Sequence, residues 1–134
     1  EGKGIYLLAV TSNPGSADLQ RRESEGVPIY EIVGQFAGRA STEGRQTDVG
    51  LVVGLTNAGG DVLAGLPDVP LLIPGLGAQG GDLSALTGSG RKAPNVVNVS
   101  RGVLYGKEGS PADLANRFAR EIAEALGQET QGCP

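Results

Sequence analysis

The residues from Leu71 to Asp82, Leu-Leu-Ile-Pro-Gly-Leu-Gly-Ala-Gln-Gly-Gly-Asp, are the strongest chemical signal in the chain. An apolar run stops at Pro74 and opens into a glycine-dense loop that carries Gly77 and one amide side chain, Gln79. Further on, a second apolar run, Val96-Val-Asn-Val99, ends in Ser100-Arg101-Gly102. Glycine lets backbone N–H groups approach an anion closely, and arginine adds a planar, charge-assisted fork. The combination reads as a phosphate-ester site. Each part also has a plainer reading: the Gly75–Gly81 loop as a simple turn, Gln79 as a solvated loop residue, Arg101 as the partner of a surface carboxylate. Thr11-Ser-Asn-Pro14 reads, from residue type alone, as a turn and helix cap, because Ser, Asn and Pro all favour that role.

Much other chemistry is excluded by absence. The chain has no histidine, hence no Ser-His-Asp triad, no Cys-His pair and no His-ligated zinc. Its one cysteine, Cys133, cannot form an internal disulfide, and nothing near it looks like a metal set. No metal site is expected. A net charge of −4 without any Lys/Arg run argues against nucleic acid or an acidic membrane surface as partner. No apolar run approaches the ~20 residues of a membrane span, and no signal-peptide pattern opens the chain. A cytoplasmic protein is expected. The 134 residues make one domain, large enough for a sizeable core. There is no methionine, and a strand-like run follows Glu1 almost at once, as in a processed product or a fragment.

The elements that must position these groups alternate in type. Ile5 to Val10 is a nearly continuous apolar run, as expected of a strand buried on both faces. Thr11–Gly15 is a polar loop, and Ser16–Arg22 a short helical piece. Pro28–Ala40 reads as a helix, with Ile29, Ile32, Val33, Phe36, Ala37 and Ala40 at helical spacing. Val49–Val53 is a second strand, and Asn57 caps a short helix to about Leu66, weakened by Gly59 and Gly60. Pro70–Ile73 is a third strand, Asp82–Leu86 a short helix, and Asn95–Val99 a fourth strand. Ser110, Pro111 and Asp113 start a last helix, with Leu114, Phe118, Ile122 and Leu126 on one face and Gly127 at its end. Residues 128–134 are expected to be a disordered tail behind a domain spanning 1–127. Tyr105 reads as a core-edge residue.

Such βα alternation implies an α/β fold with parallel strands and right-handed crossovers. Four units are half of a (β/α)8 TIM barrel, whose last two units hold phosphates with a glycine loop and an arginine. The alternative is a small open sheet of the doubly wound kind.

Four segments occur in order: Leu8-Ala-Val-Thr-Ser-Asn-Pro-Gly-Ser16, Asp48-Val-Gly-Leu-Val-Val-Gly54, Ile73-Pro-Gly-Leu-Gly-Ala-Gln-Gly-Gly-Asp82 and Val97-Asn-Val-Ser-Arg-Gly-Val-Leu-Tyr105. Together they resemble the C-terminal half of orotidine 5′-phosphate decarboxylase, bacterial second subgroup, over residues 4 to 126. The resemblance implies strands five to eight of the barrel and a cofactor-independent enzyme that converts orotidine monophosphate to UMP and CO2. It implies pyrimidine contacts at Thr11 and Ser12, a lid over Pro74–Asp82 whose Gln79 touches the phosphate, and a phosphate end at Ser100, Arg101 and Gly102. It also implies a dimer of complete barrels. The family's catalytic Asp-x-Lys-x-x-Asp array has no counterpart here, where the lysines are Lys3, Lys92 and Lys107. The chain is therefore expected to hold no catalytic residue and not to decarboxylate alone; the alternative is a non-catalytic half-barrel that binds phosphorylated nucleotides or self-assembles. Its open inner face and strand edges are expected to be covered by a complementary N-terminal half or by a second copy.

Overall fold

A computed structural model describes residues 3–42, 47–56, 58–76, 83–87 and 89–126. In chain order the elements are β1 (Lys3–Val10), α1 (Ser16–Leu19), β2 (Glu23–Ser24), β3 (Val27–Pro28), α2 (Ile29–Thr42), β4 (Thr47–Val53), α3 (Gly60–Ala64), β5 (Leu71–Pro74), a 3-10 turn at Leu83–Ala85, β6 (Asn95–Asn98), α4 (Arg101–Leu104) and α5 (Pro111–Ala125). The four long strands make one parallel sheet in the order β1-β4-β5-β6. That order follows the chain without reversing, as in a barrel wall, whereas a doubly wound sheet reverses direction at its middle.

Register assigns the side chains to two faces, because neighbours along a strand point to opposite sides. Leu7, Leu51, Leu71 and Asn95 form one row across the sheet. Leu51 and Leu71 in it are fully buried, in a core that also holds Tyr30 and Ala37 of α2, Val62 and Leu63 of α3, and Leu86. The next row, Leu8, Val52, Leu72 and Val96, lies on the other face. There Leu8 is 56% exposed and Val96 49%. Ile5 and Tyr6 are exposed as well, so β1 is not buried on both faces as its sequence suggests. The reason is positional: β1 is an edge strand, no described element covers its inner side at Tyr6 and Leu8, and its first residues also stand open on the helix side at Ile5.

Local chemistry explains the connections. Ser110 caps α5 by accepting from the Asp113 backbone N–H, while the Asp113 carboxylate accepts from the Ser110 N–H, with Pro111 in the first turn. Leu114 and Phe118 are its buried residues. The expected helix at Ser16–Arg22 is a single turn, Ser16–Leu19. It leads into a β2–β3 hairpin with Glu25 at φ 54° and Gly26 at φ 78°, the two left-handed residues of a two-residue primed turn. The helix expected from Asn57 begins instead after Gly59 and spans only five residues. Asn57 itself, Gly127 and the 128–134 tail lie outside the described residues. The short helix expected at Asp82–Leu86 is the 3-10 turn, and Tyr105, at 78% exposure, is a surface residue rather than a core edge.

Candidate nucleotide site at the carboxyl ends of the strands

Three strand ends meet at one cleft of about 250 Å³, lined by Leu8, Val10, Thr11, Ser12, Asn13, Val52 and Pro74. The walls are apolar and the rim is polar, as small-molecule sites usually are. Register shifts by one residue between Leu8 and Val10, an irregularity that bends β1 just before it delivers Thr11. The Gly54 N–H donates to the Val10 carbonyl at 2.8 Å, so the end of β4 lies directly against this turn. A Cβ at Gly54 would stand 2.8 Å from the Ser12 nitrogen and would collide with Ser12 Oγ. Only glycine admits the approach.

Thr11 and Ser12 are both half-buried, and their hydroxyls differ in state. The Thr11 N–H and hydroxyl both donate to the side-chain oxygen of Gln20, at 2.8 and 3.1 Å. Ser12 Oγ is out of solvent and has no hydrogen-bond partner among the described residues. A buried hydroxyl left unpaired costs about 1–3 kcal/mol, and such orphans concentrate where a ligand supplies the partner.

The second half of the expected site stands at the same end of the sheet, over β5 and β6. Gly75 has φ 92°, a conformation that suits glycine, and its N–H donates to the Asn98 carbonyl at 3.3 Å. That bond ties the entrance of the glycine loop to the end of β6. Asn98 and Ser100 exchange contacts at 3.4–3.5 Å. Arg101 opens α4 with an exposed side chain, and no described carboxylate pairs with it. Gly102 is pressed against α5: a Cβ there would lie 2.8 Å from Phe118 Cζ. Its small size thus serves packing of α4 on α5. Thr11 and Ser12 share the cleft, whereas Arg101 and Gly102 do not line it. Three strand spacings separate β1 from β6, roughly 14 Å at about 4.8 Å each. Gly77 and Gln79, with the rest of the loop from 77 to 82, lie outside the described residues.

At the opposite end of the strands the structure holds a clamp that the sequence did not announce. The Arg91 side chain, 6% exposed, donates to the carbonyls of Leu66, Pro67 and Val69 at 3.2, 2.7 and 3.0 Å. Asp68, 3.9 Å away, accepts from the backbone N–H groups of Lys92 and Ala93. Those N–H bonds, Lys92 first, hold the Asp68 carboxyl below the ordinary carboxylate range, and burial lowers the Arg91 guanidinium. The clamp joins the loop entering β5 to the loop entering β6, and so fixes the two strands whose far ends carry Pro74 and Arg101. A second cleft of about 250 Å³, lined by residues that include Tyr6, Asp48, Gly50, Pro70 and Pro94, lies at this end of the open face. Among the described residues no group of three His, Cys, Asp or Glu side chains could hold a metal ion, and no helix is long and apolar enough to cross a membrane.

Comparison with known proteins gives a consistent picture. An orotidine 5′-phosphate decarboxylase of Cupriavidus metallidurans is 43% identical over 98% of this chain and 50% of its own length. One of Roseiflexus castenholzii is 41% identical over 92% of this chain and 47% of its own. Among solved structures, UMP synthase of Leishmania donovani superposes with a TM-score of 0.73 at 34% identity, covering 92% of this chain and 28% of that one. The OMP decarboxylase of the same organism gives 0.72 at 32% identity, covering 92% and 48%. No protein-family model matches the chain. The chain spans about half the length of the curated relatives it matches.

Proposed function

Because the chain belongs with the orotidine 5′-phosphate decarboxylases and spans about half their length, we propose that it is the C-terminal half of such an enzyme, the half that grips the nucleotide. One observation carries this reading: a cleft at the carboxyl ends of sequentially ordered parallel strands, where a barrel enzyme keeps its site, holds a buried Ser12 hydroxyl that has no partner among the described residues. Ser12 and Thr11 meet the pyrimidine. Arg101 meets the phosphate with a planar fork, Gly102 brings α4 backbone close to it, and the loop with Gly77 and Gln79 closes over the sugar phosphate. Binding energy from the phosphate, remote from the reacting carbon, drives that closure and is expressed in the chemical step. No cofactor takes part, and the reaction belongs to UMP biosynthesis in the cytoplasm.

The proton donor lies elsewhere. Among the described residues of the sheet, Lys3 pairs with Thr47 while Asp48 faces Gly4, so no lysine stands beside an aspartate on the inner face, and the family's Lys/Asp array belongs to the other half of the barrel. Leu8 and Val96, at the two ends of the open row, and the edges of β1 and β6, which no described strand pairs, are the surfaces that half would cover, in an assembly that pairs complete barrels.

Two measurements on the pure chain test this. UMP should bind saturably while orotidine monophosphate is not turned over. Absence of saturable UMP binding, or turnover by a preparation shown to contain only this polypeptide, would overturn the reading. Native mass separates the two ways of covering the open face. A complex with a different polypeptide means a split enzyme, and a simple multiple of the chain mass means self-assembly.

A further inference from the structure

A recognition hydroxyl is useful only if its backbone is held, and loop residues are ordinarily the least restrained part of a fold. The Thr11–Ser12 turn is restrained from two sides. On one side is Gln20, whose carboxamide oxygen takes both donors of Thr11, N–H and hydroxyl. Two donors converging on one oxygen fix the Thr11 side-chain rotamer as well as its backbone. Gln20 is itself anchored, since its N–H donates to the Ser16 carbonyl at 2.9 Å and its carbonyl accepts from the Tyr30 N–H at 3.0 Å. It therefore links α1, the first turn of α2 and the end of β1. On the other side Gly54 closes against Ser12 with no room for a further atom.

We propose that Gln20 is a positioning residue for base recognition: its side-chain oxygen locks Thr11, and that lock sets where the Ser12 hydroxyl stands against the edge of a pyrimidine. The inference rests on the nucleotide reading above and goes beyond it, since Gln20 does not line the cleft. Its effect should fall on the base and spare the sugar phosphate, which the Arg101 end of the sheet holds separately.

The test uses the whole chain with Gln20→Leu, which keeps the bulk and loses the acceptor, and Gln20→Glu, which keeps the acceptor. UMP and ribose 5-phosphate are titrated, and amide hydrogen exchange is followed at Thr11. For Gln20→Leu, exchange at Thr11 should rise about tenfold and UMP should weaken about tenfold, the effect of one hydrogen bond, with ribose 5-phosphate within about twofold. Gln20→Glu should restore both readouts. If Gln20→Leu does not fold, Gln20→Asn, one methylene too short to reach Thr11, is expected to give the same split. Equal weakening of the two ligands, or unchanged UMP affinity, would overturn the proposal while the wild type still bound UMP. A wild-type chain that binds neither ligand would instead remove the nucleotide reading, and this inference with it.

Discussion

Replacing Arg91 by leucine removes a side chain that satisfies three carbonyls at once. The bonds to Leu66, Pro67 and Val69 are 3.2, 2.7 and 3.0 Å long, and the side chain is 6% exposed. A hydrogen bond to a charged group is worth about 1.5–3 kcal/mol net. Here two of the three bonds share one nitrogen, so neither counts in full. About 1 kcal/mol each is the sounder figure, which sums to about 3 kcal/mol. Asp68 is not stranded by the change, because the N–H groups of Lys92 and Ala93 remain on its oxygens. Leucine retains much of the packing of the stem. Urea unfolding reads the result: with a slope of about 1.5 kcal/mol/M, the midpoint should fall by about 2 M with little change of slope. Arg91→Lys, a point donor without the fork, should recover less than half of that loss. A leucine variant whose midpoint stays within about 0.3 M of the wild type would refute the clamp as a stabilising device.

Arg101→Ala should weaken UMP binding by about 1.5–3 kcal/mol and leave uridine nearly unchanged, since the fork addresses only the phosphate; equal losses in calorimetric titrations of the two ligands would make Arg101 structural. Gly54→Ala forces a Cβ to within 2.8 Å of the Ser12 nitrogen, so it should cost about 1–3 kcal/mol of stability by thermal melting and weaken UMP more than ribose 5-phosphate; unchanged UMP affinity would contradict it. Asp113 is held below the ordinary carboxylate range by the Ser110 hydroxyl and then its N–H, and Asp68 by the N–H groups of Lys92 and Ala93. A carboxyl whose folded value is depressed stabilises the fold above its unfolded value, near 3.9, and that contribution is lost as pH falls through the folded value. Stability should therefore decline on acidification below about pH 4, and Asp68→Asn should flatten the decline, measured as the urea midpoint between pH 5 and 3; an identical acid limb would count against it. Ser110→Ala should cost about 1 kcal/mol at neutral pH through loss of the cap, and an unshifted urea midpoint would show that the cap adds nothing.

The four sheet strands were legible because each is a β-branched or leucine-rich run bounded by Gly, Pro or Asn, and α5 because Ser110, Pro111 and Asp113 spell its start. What failed has a physical pattern. Apolar content told of Ile5, Tyr6 and Leu8 that they should be buried, but whether a face is covered depends on elements that the run itself does not encode. The β2–β3 hairpin and α4 are too short to show a period, and Glu25 takes a left-handed conformation that Asn or Gly would have advertised. Thr11 and Ser12 read by residue type as a turn and cap, and only the family resemblance marked them as candidate base contacts. Gln20 was missed because its bond to Thr11 spans nine residues through a turn of no regular form, and Arg91 because its targets are carbonyls, which every residue has.

The sheet grows in the direction the chain is made. β4 pairs with β1, β5 with β4 and β6 with β5, so each new strand has its template already in place when it leaves the ribosome. Pairings of this kind close each loop onto the most recently formed edge, which keeps the entropic cost of every step modest and uniform. The same arrangement means that at every stage of synthesis one strand edge stands open and apolar on its inner side, as Val96 of β6 still does. Assembly of this chain is thus a race between the next correct strand and any other extended segment that reaches that edge first.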